Sequence, residues 1–299
     1  SRERADRSSF LVTGGDDDQA IVWNVKDGKA RLVHKLGVPS TPGTSARKTR
    51  AIAFAPTGDT VAILVEQGAG RVVQLWSAAT GESRGQLSAE VQIDTIAFSS
   101  RGLLAGAGIH GALVLWNPTF HLQVASSPQS RPVTSLAFSE DGRSLVVAGQ
   151  GALQIYRVIT EGGVSLLVPE NKIEGPTGDV RAVLFEDHAN LVITASDDGV
   201  AKVWDARKGK LLATRDPHGS PLTALGLTST TTADPITGRQ RRDDRLWIGS
   251  EDGTLGEWDL SVDEHSWAEL DRFMRTHVPW SITSDDVIQT VEGGSRGKH

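Results

Sequence analysis

The sequence predicts an all-β repeat fold, and three observations carry that prediction. One short pattern, a small-residue strand, an acidic or glycine turn and an alternating strand ending in an aromatic, returns six times. The aromatics Trp23, Trp76, Trp116, Tyr156, Trp204 and Trp258 stand 53, 40, 40, 48 and 54 residues apart, near the about 40 to 45 residues of one four-stranded propeller blade. A second signal keeps phase with the first: RAIAF, DTIAF, TSLAF, RAVLF and TALGL close on Phe54, Phe98, Phe138, Phe185 and Leu227.

Each part of the pattern has a local cause. The strands ahead of the aromatic alternate, as half-exposed strands do, whereas the RAIAF-type strands are apolar on both faces, as expected of an innermost strand packed between neighbouring blades. Turns such as APTGD, SSRG and SEDGR follow them, with glycine supplying the backbone freedom for the reversal. The longer spacings contain PSTPGTSARK (39–48) and TSTTTADPITGRQRRDD (228–244), whose Pro, Gly, Ser and Thr content reads as surface loop.

The chain starts in mid-blade, since FLVTGG and QAIVWNV match second and third strands with no inner strand before them. VPWSITSDDV (278–287) reads as an inner strand that returns to complete that first blade and protects its edge. The expectation is one domain over 10–287, between tails 1–9 and 288–299, with six blades closed by joining the two ends of the chain. Seven blades stay open if the residues after Trp258 form an irregular extra one. WAELDRFMRTH (267–277) is ambiguous between an outer strand and a short helix, packing on the propeller or meeting a partner.

Composition bounds the function. Hydrophobic residues are 38% and charged residues 23% of 299, with 32 glycines, so a core can be buried. A net charge of -6 leaves no global positive field for nucleic acid or an anionic membrane, and the basic run Arg239, Arg241, Arg242 is followed at once by Asp243 and Asp244. With no cysteine there is no disulfide, thiolate metal site or Cys nucleophile. No apolar stretch approaches the roughly 20 residues of a spanning helix, and the first residues lack a signal-peptide core, so a cytoplasmic protein, nuclear if eukaryotic, or a fragment of a longer one, is expected.

SDDGVAKVWD and SEDGTLGEWD carry a turn and a Trp-Asp pair that resemble the WD40-repeat family, and AFAPTGD and AFSEDGR resemble its inner-strand segment. The resemblance runs from about Phe10 to Ile282. It implies that each anchor tryptophan donates its indole hydrogen to a Ser or Thr, which connects through a His to a turn Asp. The turn Asp is present six residues before the anchor as Asp17, Asp198 and Asp252, but its place is taken by Gly70, His110 and Gln150 elsewhere; Ser196 and Ser250 precede two of the three. The family's Gly-His pair is missing, and each missing bond removes about 1 kcal/mol from its blade.

No catalytic constellation is present: no HExxH, GxSxG or GxxxxGK[ST]. Asp16, Asp17 and Asp18 invite calcium, but they fill a hairpin turn that other repeats fill with DDG or EDG, and His110 reads as a turn residue. Neither metal nor cofactor is expected. The resemblance places the residue four before each inner-strand Phe or Leu near the mouth of a central channel: Arg50, Asp94, Thr134, Arg181 and Thr223. Two arginines at one opening suit an acidic or phosphorylated peptide through bidentate bonds; alternatively they solvate the mouth or pair with Asp94 and the turn aspartates. The expected function is a non-catalytic protein-interaction scaffold. A sensory or regulatory domain of a larger protein is the second reading, and a metal-dependent propeller hydrolase a remote third.

Overall fold

The computed structural model describes residues 9–15, 20–27, 29–37, 48–67, 70–88, 91–129, 131–162, 164–186, 190–215, 219–233, 240–260, 280–282 and 288–290, and every described element is a β-strand. The chain divides into two compact units, Ser1–Gly226 with Trp247–Gly256, and Leu227–Leu246 with Glu257–His299.

The larger unit is a succession of antiparallel sheets. The first holds β1 (Ser9–Gly14), β2 (Ala20–Lys26) and β3 (Lys29–Leu36). The second holds β4 (Thr49–Phe54), β5 (Thr60–Gln67), β6 (Gly70–Ser77) and β7 (Ser83–Ser88). The third holds β8 (Thr95–Phe98), β9 (Leu104–Gly108), β10 (Ala112–Asn117) and β11 (Leu122–Ser126).

A six-stranded sheet follows: β12 (Val133–Phe138), β13 (Ser144–Glu161), β14 (Val164–Glu186), β15 (Leu191–Ser196), β16 (Ala201–Asp205) and β17 (Leu211–Arg215). It amounts to two four-stranded sheets. Val158 donates to Arg143 O, the bond that Ala78 makes to Asp59 and Ala206 to Asn190, so β13 folds back on itself about Gly151 at φ 65°. β14 likewise serves both halves, pairing with β13 from Val164 to Glu174 and again at Asp179, and with β15 from Val180. These halves are called the fourth and fifth sheets below.

Consecutive sheets pack face to face, with one apolar cluster between each pair. Ala20, Val22 and Leu36 meet Val61, Ile63 and Val65 between the first and second sheets, while Ala62 and Leu64, on the other face of β5, meet Ile96, Leu104 and Trp116 of the third. Leu145 and Val147 face the third sheet, and Val146 and Ala148 face the fifth. The first strands of the later sheets lie side by side in chain order, β4 by β8, β8 by β12 and β12 by β14, and β1, equivalent to a second strand, also contacts β4. Such a stack of antiparallel sheets fits a β-propeller.

One sequence expectation about burial is corrected. The strands buried on both faces are the second ones, β5, β9 and β15, and much of the third, whereas β4, β8 and β12 are only partly buried. The reason is sheet order: β4 and β8 are edge strands of their sheets, and an edge leaves one flank without a neighbour.

β18 (Leu222–Ala233), β19 (Gln240–Ser250) and β20 (Leu255–Asp259) form a further sheet in that order. In the smaller unit, β21 (Trp280–Ile282) pairs antiparallel with β22 (Ile288–Thr290), Trp280 opposite Thr290. Of the inner strand expected over 278–287, Trp280–Ile282 is described as strand, and its described partner is β22. Residues 267–277, Asp16, Asp17 and Asp18 lie outside the described residues.

Candidate functional site at the inner-strand bulges

Three of the five sequence-selected positions share one backbone device. The pairing register slips between Thr49 and Ala51 in β4, between Val133 and Ser135 in β12, and between Val180 and Ala182 in β14. Arg50, Thr134 and Arg181 are thus the extra residues of β-bulges, a feature that re-aims a side chain and recurs beside functional sites. Asp94 stands just before β8, its N–H donating to Ala107 O at 2.7 Å.

Each side chain already has a local partner. Arg50 Nε donates to Glu66 Oε1 at 2.7 Å, and the same oxygen lies 3.7 Å from Arg71 Nη2. Arg71 Nη1 donates to Asp94 Oδ1 and, at 2.7 Å, to Ile93 O, while Ile109 N donates to Asp94 Oδ2 at 3.0 Å. The result is an ionic chain Arg50, Glu66, Arg71, Asp94 that joins the second sheet to the third. Its two cations differ in access: the Arg50 side chain is 43% exposed and that of Arg71 only 12%.

Arg181 Nη2 lies 3.5 Å from Asp197 Oδ2, with the arginine side chain 52% exposed. Asp197 Oδ1 accepts from Asp179 N at 2.8 Å, which fixes the carboxylate to the bulged strand. Thr134 is committed to the backbone, its hydroxyl donating toward Val180 O in the next sheet. Thr223 Oγ1 donates to Gly249 O of its own sheet at 3.4 Å. Of the five, only Arg50 and Arg181 present an exposed charge held by a displaceable, solvent-screened partner.

Sequence reasoning missed Glu66, Arg71 and Asp197. Glu66 and Arg71 face each other across the β5–β6 hairpin, so a charged pair flanking the turn after an apolar run was the available signal.

The repeat anchors divide by what their polar atom meets. Trp23 and Trp204 donate to Thr13 and Thr194 at 2.9 and 3.0 Å, each Thr lying two residues past the one paired with the tryptophan. That place is Ile63 in the second sheet and Gly106 in the third, so Trp76 turns to Gln74 Oε1 and Trp116 to Ser88 O, both at 3.3 Å. Tyr156 bonds Gln129 through its hydroxyl. Trp258 is half-buried in β20. Asp198 and Asp252 close their own hairpins instead, accepting from Ser196 and Val200 N, and from Ser250 and Thr254 N.

Residues 167–205 match the family profile "WD domain, G-beta repeat". They comprise the outer strand of the fourth sheet and the inner three of the fifth, with Trp204 as anchor. This segment is a WD40 repeat. The chain is 25% identical over 208 residues to Pre-mRNA-processing factor 19 homolog 2 of Arabidopsis thaliana, covering 66% of this chain and 36% of that one. It is 24% identical over 262 residues to the Angio-associated migratory cell protein of Homo sapiens, covering 85% and 56%. A third similarity, 32% over 93 residues, is to the Target of rapamycin complex subunit wat1 of Schizosaccharomyces pombe, covering 31% and 28%. The chain thus spans less than two thirds of the length of these relatives.

Proposed function

We propose that this chain is a non-catalytic WD40-repeat docking platform whose inner-strand bulges receive an acidic or phosphorylated peptide from a protein partner. The observation that supports it is the equivalence of Arg50 and Arg181: both occupy bulges, both guanidinium groups are about half exposed, and each rests on a carboxylate that an incoming anion can replace. Bidentate contact with a carboxylate or phosphate exceeds what an exposed ion pair retains. Relatives named as a subunit of the target of rapamycin complex and as a pre-mRNA-processing factor support a role among protein partners.

The test is a partner captured with the wild-type chain and titrated against the R50A/R181A double variant. Affinity is expected to fall about tenfold to a hundredfold, from losing charge-assisted bonds; unchanged affinity sinks the reading. Six blades and the return of residues 278–287 to the first sheet belong to this proposal. Under it, deleting residues 278–299 removes the amide-exchange protection of Leu11–Thr13. Net charge -6 goes with protein partners rather than membrane or nucleic acid, in the cytoplasm or nucleus.

A second reading, a regulatory propeller within a larger protein, is favoured by the 36% and 56% of the relatives' lengths that this chain covers. The complete open reading frame decides it: an attached catalytic domain supports this reading, and its absence removes it.

A further inference from the structure

We propose that a polar pocket between the fourth and fifth sheets binds a small carboxylate, at a site separate from the bulge residues. The pocket has a volume of about 310 Å³, and Ile155, Glu170, Asn171, Phe185, Asn190 and Arg207 are among the residues that line it. That volume lies at the lower end of ligand sites, enough for one side chain or a small organic acid.

Its polar groups fall into spent and unspent. Asn171 Nδ2 donates to Ala206 O and to Arg207 O, both at 2.9 Å, and Glu170 Oε1 accepts from Arg157 Nε at 2.8 Å. Asn190 Nδ2 is buried and meets no acceptor. A buried donor without a partner is uncommon and calls for a ligand or water to satisfy it. Arg207, at the exposed rim, forms no ion pair among the described residues, while its N–H is fixed at 2.9 Å to Asp205 Oδ1.

Two donors of the lining, the Asn190 amide and the cationic Arg207 side chain, are therefore unspent. An anion is what they can take together. Its charge is bounded by the charged residues of the lining: one arginine and one glutamate suit a monoanion and disfavour a dianionic phosphate. Ile155 and Phe185 supply apolar wall for a short aliphatic stem. The shared chemistry is a carboxylate on two or three methylenes, from a glutamate side chain of a peptide or from a free organic acid.

The experiment follows the Asn190 side-chain amide by nuclear magnetic resonance in the whole chain. The probes are glutarate, the capped peptide acetyl-Ala-Glu-Ala-amide and inorganic phosphate. Either carboxylate probe is expected to shift that amide, and the tighter of the two names the source; phosphate is expected to leave it unmoved. R207Q should weaken binding about tenfold. N190D, read on the Asn171 side-chain amide of the same pocket, keeps a residue type tolerant of the φ of 55° at this position, turns the donor into an acceptor and should abolish binding. R50A/R181A should leave it intact, which separates this site from the docking proposal. The inference is overturned if neither carboxylate shifts the amide, if phosphate matches them, or if R207Q, whose side chain is not packed in the core, binds like wild type.

Discussion

Trp204 donates its indole hydrogen to Oγ1 of Thr194 at 3.0 Å, and both side chains are buried. Thr13 gives Trp23 the same bond at 2.9 Å, but there the pair is exposed. The geometry is equal and the solvation is not. T194V leaves a buried N–H without its acceptor and is expected to cost about 1 to 3 kcal/mol. T194S should restore most of that. T13V should cost no more than a few tenths of a kcal/mol, because water takes over the acceptor's place. Urea melts of the three variants check the ordering; equal losses for T194V and T13V would show that packing, not the hydrogen bond, sets the cost.

Gly106 stands where a Thr would sit in the third sheet, and the Trp116 ring fills the space. A Cβ built on Gly106 falls 2.6 Å from Cζ3 of Trp116, which is 1% exposed and cannot swing out. G106A is therefore expected to destabilise by about 1 to 3 kcal/mol through overpacking. The reading fails if the alanine variant melts at or above the wild-type midpoint, the result expected of an ordinary strand glycine.

These two sites explain what the sequence could and could not disclose. The aromatic period and the in-phase Phe positions report burial that repeats from sheet to sheet, so the all-β repeat fold and the anchors were legible. The acceptor of each anchor was not. It depends on which residue lies two past the paired one, and there Ile63 and Gly106 send Trp76 and Trp116 to Gln74 and Ser88. The residue four before each Phe could be picked out by position, but that Arg50, Thr134 and Arg181 sit in bulges is a matter of register, which no local pattern records. The bond from Arg71 to Asp94 left no local signal either, since Asp94 comes from the neighbouring sheet.

Arg71 is the cation most withdrawn from water in the ionic chain, and Asp94 is its main counter-charge. D94N removes that charge while keeping the shape, leaving a guanidinium 12% exposed with a weaker acceptor. The expected loss is on the order of 2 kcal/mol, since a stranded, partly buried charge costs more than the intact pair contributed. E66Q should cost well under 1 kcal/mol, because its closest partner, Arg50, is solvent-screened. Differential scanning calorimetry of both variants tests the contrast, and a milder effect for D94N than for E66Q would refute it.

Strong acid should weaken the turns between first and second strands. At Asp59 the Thr57 hydroxyl favours the ionised form; burial opposes it, and Arg84 and Thr60 add to the lowering. At Asp141 burial works against ionisation, but the Arg143 N–H at 2.8 Å and the Ser139 hydroxyl at 2.7 Å outweigh it, so this pKa too lies below the ordinary 3.8. Because folding lowers both values, the carboxylates stabilise the native state fully above pH 3.8, and that contribution disappears as pH falls below 3.8 toward the folded values. Both side chains are about half exposed, so each contribution is held under about 1 kcal/mol. The D59N/D141N variant should accordingly be less stable than wild type at pH 7 and show a flatter decline between pH 4 and about pH 2. Parallel acid-limb curves for the two proteins, measured by urea unfolding at fixed pH, would mean that other carboxylates govern the acid transition.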